Sequence, residues 1–268
     1  MTVAGGYISA ALSILRRDLL VYTSYRARLV TQNVSVIFTL TLYYYLSKLV
    51  STSAFPKPDD YFAFVVIGVV ILLVLQSTFD IPNLLRQELL TGTFERLVVS
   101  PFGPLATTLA LMCFPLLLAL FTASVTIALA AAVFGVAIDW AMLPLAVPTA
   151  VLAALSFSGF SVAFAACMLR FKQVPGSAYL LAAISIVAGL YFPVSILPGW
   201  LRWTSDVQPF TPAVDLLRHL IVGLPLEQSV LGDLSRLLLF TLVGLPLGVW
   251  LLTRSINASR RRGTITEF

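Results

Sequence analysis

Residues 62–79 read FAFVVIGVVILLVLQSTF, without one acidic, basic or histidine side chain. A hydrocarbon layer about 30 Å thick takes about 20 such residues as a helix, because each residue rises about 1.5 Å and every backbone polar group must be satisfied within the segment. Stretches of this kind recur at 29–49, 62–81, 105–134, 143–169, 177–194 and 237–253, which predicts six transmembrane helices. The third and fourth exceed the minimum length, so tilting or a bend at Pro115 and Pro148 is expected. With 59% hydrophobic and only 11% charged residues, the chain is not built for water as its main solvent.

The net charge of +5 sits in short clusters between apolar runs rather than along one face, which argues against a nucleic-acid partner and reads as an orientation signal. Placing the amino terminus inside leaves Arg16, Arg17, Arg26, Arg28, Arg86, Arg96, Arg170, Lys172, Arg254, Arg260, Arg261 and Arg262 on the cytoplasmic side. Only Lys48, Lys57, Arg202, Arg218 and Arg236 remain for the outside. The expectation is a multi-pass protein of the cell (plasma) membrane with both termini cytoplasmic. Arg16, Arg17 and Asp18 interrupt the first twenty residues, so no cleavable leader is expected.

Three segments are too polar or too broken to span. Ile8, Leu12, Leu15, Leu19 and Tyr22 recur at helical spacing with Arg16 and Arg17 on other faces, predicting an amphipathic helix in the membrane surface, either a plain anchor or also a contact for a cytoplasmic partner. After the second span, Arg86, Glu88, Glu95 and Arg96 keep the chain out of the bilayer while Leu89, Leu90, Phe94, Leu97 and Val98 need cover, so a short helix lying across the inner ends of the spans is expected, weakened at Gly92 and ended at Pro101. Between the fifth and sixth spans, Pro198, Pro209 and Pro212 break a segment too apolar for a solvated loop, and short helices dipping into the outer leaflet satisfy it. Trp200 and Trp203 share a face suited to the headgroup boundary.

Catalytic chemistry finds little support. His219 is the one histidine, which excludes a multi-histidine metal site, and Ser156, Ser158 and Ser161 have no base beside them and read as helix-contact residues. Cys113 and Cys167 lie within apolar runs and read as small packing residues. Asp80 reaches the interface or takes part in gating. Tyr43, Tyr44 and Tyr45 form either an aromatic belt or part of a substrate path, and Thr31, Gln32, Asn33, Ser35, Thr39 and Thr41 make the first span polar enough to favour burial against a partner or a pathway. The candidate path residues are therefore Gln32, Asn33, Tyr43 and Tyr44.

Two separated motifs resemble those of the ABC type-2 transporter permeases, a family of drug, lipid and polysaccharide exporters. Glu88-x-x-x-Gly92-Thr93-x-Glu95-x-Leu97-x-x-Ser100-Pro101 is similar to the family's cytoplasmic coupling segment. Leu197-Pro198-x-Trp200, followed by Pro209-x-Thr211-Pro212 and Arg218, is similar to its signature before the last span. The resemblance implies one all-α transmembrane domain over 1–268: an interface helix (1–28), spans one and two (29–82), the coupling segment (83–101), spans three to five (102–194), an extracytoplasmic re-entrant segment (195–236), and span six with a basic tail (237–268).

It also implies a second permease copy or related chain, and two copies of a cytoplasmic ABC ATPase contacted through Arg16, Arg17, Arg86, Glu88, Gly92, Thr93, Glu95, Arg96 and Leu97. No sequence of the form G-x-x-x-x-G-K-[ST] is present, so the chain is expected to be no enzyme and to hold no cofactor, with ATP and magnesium in the partner subunit. The function so implied is export of a hydrophobic or amphipathic substrate. An ion-coupled secondary transporter is the alternative, disfavoured by spans almost free of ionisable groups, and a membrane enzyme lacks a catalytic constellation.

Overall fold

The computed structural model describes residues 3–49, 55, 57–91, 104–171 and 177–262, and among these the regular elements are all helices, joined by short turns. The helices are α1 (Val3–Ser24), α2 (Arg26–Ser47), α3 (Pro58–Phe79), α4 (Ile81–Leu90), α5 (Pro104–Phe134), α6 (Leu143–Phe171), α7 (Ser177–Val187), α8 (Gly199–Asp206), α9 (Phe210–Val222) and α10 (Val230–Arg262), with a 3-10 turn at Val194–Ile196. The expected leading helix and the helices before the last span form, and α4 covers the start of the helix expected after the second span, whose remainder from Gly92 to Pro101 lies outside the described residues.

Four segments are long and apolar enough to cross a membrane: Pro58–Leu90, Thr108–Phe134, Leu143–Arg170 and Val230–Ser259. The other two expected spans differ for physical reasons. Helix α2 has the length, but its polar positions dilute its apolar character. Its threonines return their hydroxyls to their own helix, from Thr31 to the Ala27 carbonyl (2.9 Å), Thr39 to Ser35 (2.9 Å) and Thr41 to Ile37 (2.8 Å). Helix α7 ends at Val187 after 11 residues instead of running to 194, about 16 Å and half a bilayer core. Gly189, at φ 71°, turns the chain there into a left-handed conformation that residues with a Cβ adopt poorly.

The core is built around α3, buried along most of its length, and around α6 packed against α10. Small residues let α6 and α10 touch backbone to backbone: a Cβ on Gly159 would stand 2.7 Å from the Gly244 carbonyl carbon, and one on Gly248 would stand 2.6 Å from the Gly159 oxygen. Helix assignment runs unbroken through Pro115, Pro148 and Pro246. Helix α9 is buried over most of its length, Arg218 included, and is enclosed by protein, against the expectation of a helix resting in lipid. Its Phe210 ring lies 4.8 Å from Phe157 and 5.5 Å from Phe160 of α6. Cys113 and Cys167, expected as packing residues, are instead exposed on α5 and α6.

Candidate coupling and transport sites

Helix α4 leaves the end of α3 at Asp80, the one non-helical residue between them, with Pro82 in its first turn. Ile81, Leu85 and Leu89 fall on one face and are buried against Met112 of α5, Val162, Ala165 and Met168 of α6, and Leu252 and Ile256 of α10. Arg86, Gln87 and Leu90 stay exposed. An amphipathic pattern thus seats α4 on α5 and α6 through its apolar face and leaves its polar face outward.

Across from it, α1 packs on α5 through the Tyr22 ring, edge-on to Phe114 at 5.7 Å. Two residues that the sequence assigned separately to partner contact meet each other here. Arg17 donates from Nη2 to Glu88 Oε1 at 3.0 Å, and from Nε to Asp18 Oδ1 at 2.9 Å. Burial works to lower the Arg17 pKa, but the carboxylates of Asp18 and Glu88 outweigh it, so the guanidinium stays firmly charged. Arg16 is exposed beside it. Gly92, Thr93, Glu95, Arg96 and Leu97 lie outside the described residues.

A cleft of about 830 Å³ opens between α1, α4 and α5, lined by Arg17, Asp18, Asp80, Arg86 and Glu88 together with Tyr22, Phe114 and Pro115. A smaller groove of about 380 Å³ between α2, α3 and α5 carries Thr31, Gln76, Ser77, Asp80 and Thr122. Ser77, Asp80 and Leu118 line both, so a polar path climbs from the cleft along α3. Asn83 donates to Asp80 Oδ1 at 3.4 Å, at the long end of a hydrogen bond.

The expected path residues sit elsewhere. Tyr43 stacks on Tyr191 at 6.0 Å, while Tyr44 packs against Phe62 (5.4 Å) and Phe134 (5.3 Å) and lies under the Lys48 ammonium (4.3 Å). These contacts are aromatic packing between helices. Asn33 is exposed on α2, and the Gln32 side chain lies outside the described residues. Gln76, Ser77 and Thr122 escaped sequence reading because they stand singly in apolar runs, and only their convergence in space marks them.

The far end of α3 carries a second polar centre, roughly 24 Å away if measured from Asp80 to Phe64 along the helix. Arg218 of α9 is 4% exposed, and its guanidinium lies 3.3 Å above the Phe64 ring. It donates to the Phe64 carbonyl (Nε, 3.2 Å) and to the Leu190 carbonyl (Nη2, 2.9 Å), just beyond the break after α7. Gly68 permits this junction, since a Cβ there would fall 1.9 Å from the Leu190 oxygen. Burial lowers the Arg218 pKa to about 9, opposed by Asp215 and Glu227, which leaves it cationic at neutral pH. Burial likewise raises the Asp215 carboxyl to about 7, with Arg218 opposing.

Other singled-out residues take structural places. His219 Nδ1 donates to the Leu224 carbonyl at 3.0 Å, Ser205 donates to the Val187 carbonyl at 2.7 Å, and Ser161 joins α6 to α3 through the Thr78 carbonyl. Ser156 and Ser158 bond back to their own helix. Trp200 and Trp203 are 75% and 62% exposed on α8, as boundary anchors should be. Among the described residues no cluster of three histidine, cysteine or carboxylate groups could hold a metal ion.

No curated protein shows significant similarity to the chain. The ABC-2 type transporter family matches over residues 10–222, from α1 through α9. A match over most of the length, carried by an all-helical structure with apolar spans, shows that this multi-pass membrane protein belongs to the ABC-2 type transporter family, whose members are non-catalytic permease subunits that generally work with a cytoplasmic ABC ATPase.

Proposed function

We propose that the chain is the transmembrane permease subunit of an ATP-binding cassette exporter and moves a hydrophobic or amphipathic molecule, such as a drug, a lipid or a lipid-linked glycan, out of the cytoplasm. Two copies, or one copy and a related chain, stand on two ATPase subunits that bind ATP and magnesium. Helix α2 and residues 177–194, α-helical only as far as Val187, complete six crossings in that assembly, both termini face the cytoplasm, and the plasma membrane is the site of action. The exposed apolar side chains of α2, among them Phe38, Leu42 and Tyr45, offer a second permease a surface beside the polar positions of the same helix.

The observation that carries this reading is the Arg17–Glu88 pair, which joins the leading helix to α4. Closure of the ATPase dimer presses on the segment from α4 through Gly92, Thr93, Glu95, Arg96 and Leu97. Because Ile81, Leu85 and Leu89 are seated on α5 and α6, in a core those helices share with α10, that push is delivered to the long helices rather than absorbed by a loose loop. With Arg17 half exposed, the pair contributes about 0–1 kcal/mol to folding. Its loss should therefore spare assembly and appear in coupling.

The test is the complex reconstituted with its ATPase. Arg17→Glu and Glu88→Arg should each lower transport-coupled ATP hydrolysis, and the double exchange should restore it. Full coupling in both single variants, or transport by this chain without nucleotide, overturns the reading.

A further inference from the structure

A pocket of about 420 Å³ lies at the α8–α9 end, walled by the 3-10 turn, α8, α9, the connection that follows and the first turns of α10. Its charge is lopsided. Asp206, Asp215, Glu227 and Asp233 face it, against Arg202 and Arg236. Arg236 stands 3.6 Å from Asp206 on the rim and also lies near Asp233, while Arg218 acts on Asp215 from behind the pocket wall, so the carboxylates lining the cavity still outnumber the cations that line it.

Asp233 is the decisive group. The residue is 2% exposed, yet its Oδ2 is fully buried with no hydrogen-bond donor. A carboxylate oxygen shut away from water without a donor is costly, and native proteins seldom leave one so. Its backbone N–H is already committed to the Ser229 carbonyl at 3.1 Å, and Ser229 Oγ is turned to the Gly232 N–H at 3.1 Å. Neither of these groups serves Asp233 Oδ2, and the residue lines the pocket, where a donor can reach it.

A metal ion needs several oxygens converging on one point at about 2.0–2.6 Å, and no three carboxylates among the described residues are gathered closely enough. A protonated amine has different demands. Its three N–H donors and its charge are satisfied by carboxylates spread along a cavity of small-molecule size. We infer that this pocket is a binding site for a primary ammonium group, with Asp233 as its buried acceptor, Glu227 as a carboxylate on its rim and Asp215 as a further oxygen acceptor in its wall. Such a group comes either from a free organic amine or from an amine-bearing lipid headgroup at the adjacent membrane surface, where Trp200 and Trp203 lie exposed.

The purified full-length protein in nanodiscs of phosphatidylcholine alone, without any ATPase, is titrated with spermidine by calorimetry. Binding is expected, and about tenfold weaker in Asp233→Asn, where one charge-assisted hydrogen bond is lost. Because a buried substitution can disturb folding, Glu227→Gln on the exposed rim is the second variant, and it should weaken binding as well. Repeating the titration in discs containing phosphatidylethanolamine separates the sources: suppressed spermidine binding identifies the headgroup as the resident amine, and undiminished binding identifies a free amine. No spermidine binding by the wild type, or equal affinity in wild type and both variants, overturns the inference. The measurement needs no transport, so its failure leaves the exporter reading standing.

Discussion

Replacing Gly248 with alanine should destabilise the bundle, whereas the same change at Gly244, one helical turn earlier, should not. The two glycines have the same spacing and chemistry, and a sequence pattern alone would treat them alike. The geometry separates them. A Cβ on Gly248 would sit 2.6 Å from the Gly159 carbonyl oxygen and 3.2 Å from Val162 Cβ, while a Cβ on Gly244 meets nothing within 4 Å. The obstacle is backbone, so no rotamer relieves it, and α6 and α10 must part by roughly 1 Å to regain ordinary van der Waals separation. Overpacking of this kind costs about 1–3 kcal/mol. Gly244→Ala should be neutral or slightly stabilising, since it removes glycine's backbone entropy from a helix. Gly159→Ala, whose Cβ would meet the Gly244 carbonyl carbon at 2.7 Å, should resemble Gly248→Ala. Reversible unfolding of the three variants in mixed micelles measures this directly. Equal losses at Gly244 and Gly248, or none at Gly248, would show that the close α6–α10 contact is misplaced.

Arg218→Ala should cost about 3 kcal/mol or more, because it leaves the Phe64 and Leu190 carbonyls without their charged donor, and Arg218→Lys should recover only part of that because one ammonium lacks the fork that reaches both; thermal unfolding of the pair checks it. Asp215, facing Arg218, Glu227 and Asp233, holds its proton to about pH 7 in the folded protein against an ordinary value of 3.8, so the folded state binds more protons across that window and stability should fall as pH rises from about 4 to about 7, with a shallower slope in Asp215→Asn. A cysteine placed at Trp200 or Trp203 should react with a membrane-impermeant maleimide added outside intact cells, and labelling only after the membrane is opened would reverse the orientation proposed for the chain.

How much of this was legible in the residues depended on whether the signal was local. Continuous apolar runs announce α3, α5, α6 and α10 because a single helix must satisfy its own backbone in lipid. The amphipathic α1 and α4 follow from charges spaced against leucines. What local pattern could not convey is which neighbour a segment finds. Residues 177–194 read as one span, yet Arg218, near thirty residues later, captures the Leu190 carbonyl and fixes the chain in a turn at Gly189. In the same way Glu88 and Arg17 were each legible as polar residues awaiting a partner, but not as partners of one another. Tyr43 and Tyr44 were legible only as a belt or a path, and local pattern did not show that their rings pack on Tyr191, Phe62 and Phe134. The groove between α2, α3 and α5 is lined instead by smaller polar side chains, Thr31, Ser77 and Thr122, which leave open space between closely packed helices. Polar space within this bundle is thus marked less by large hydrophilic residues than by small ones converging on Asp80, at the break between α3 and α4, which the groove shares with the charged cleft below.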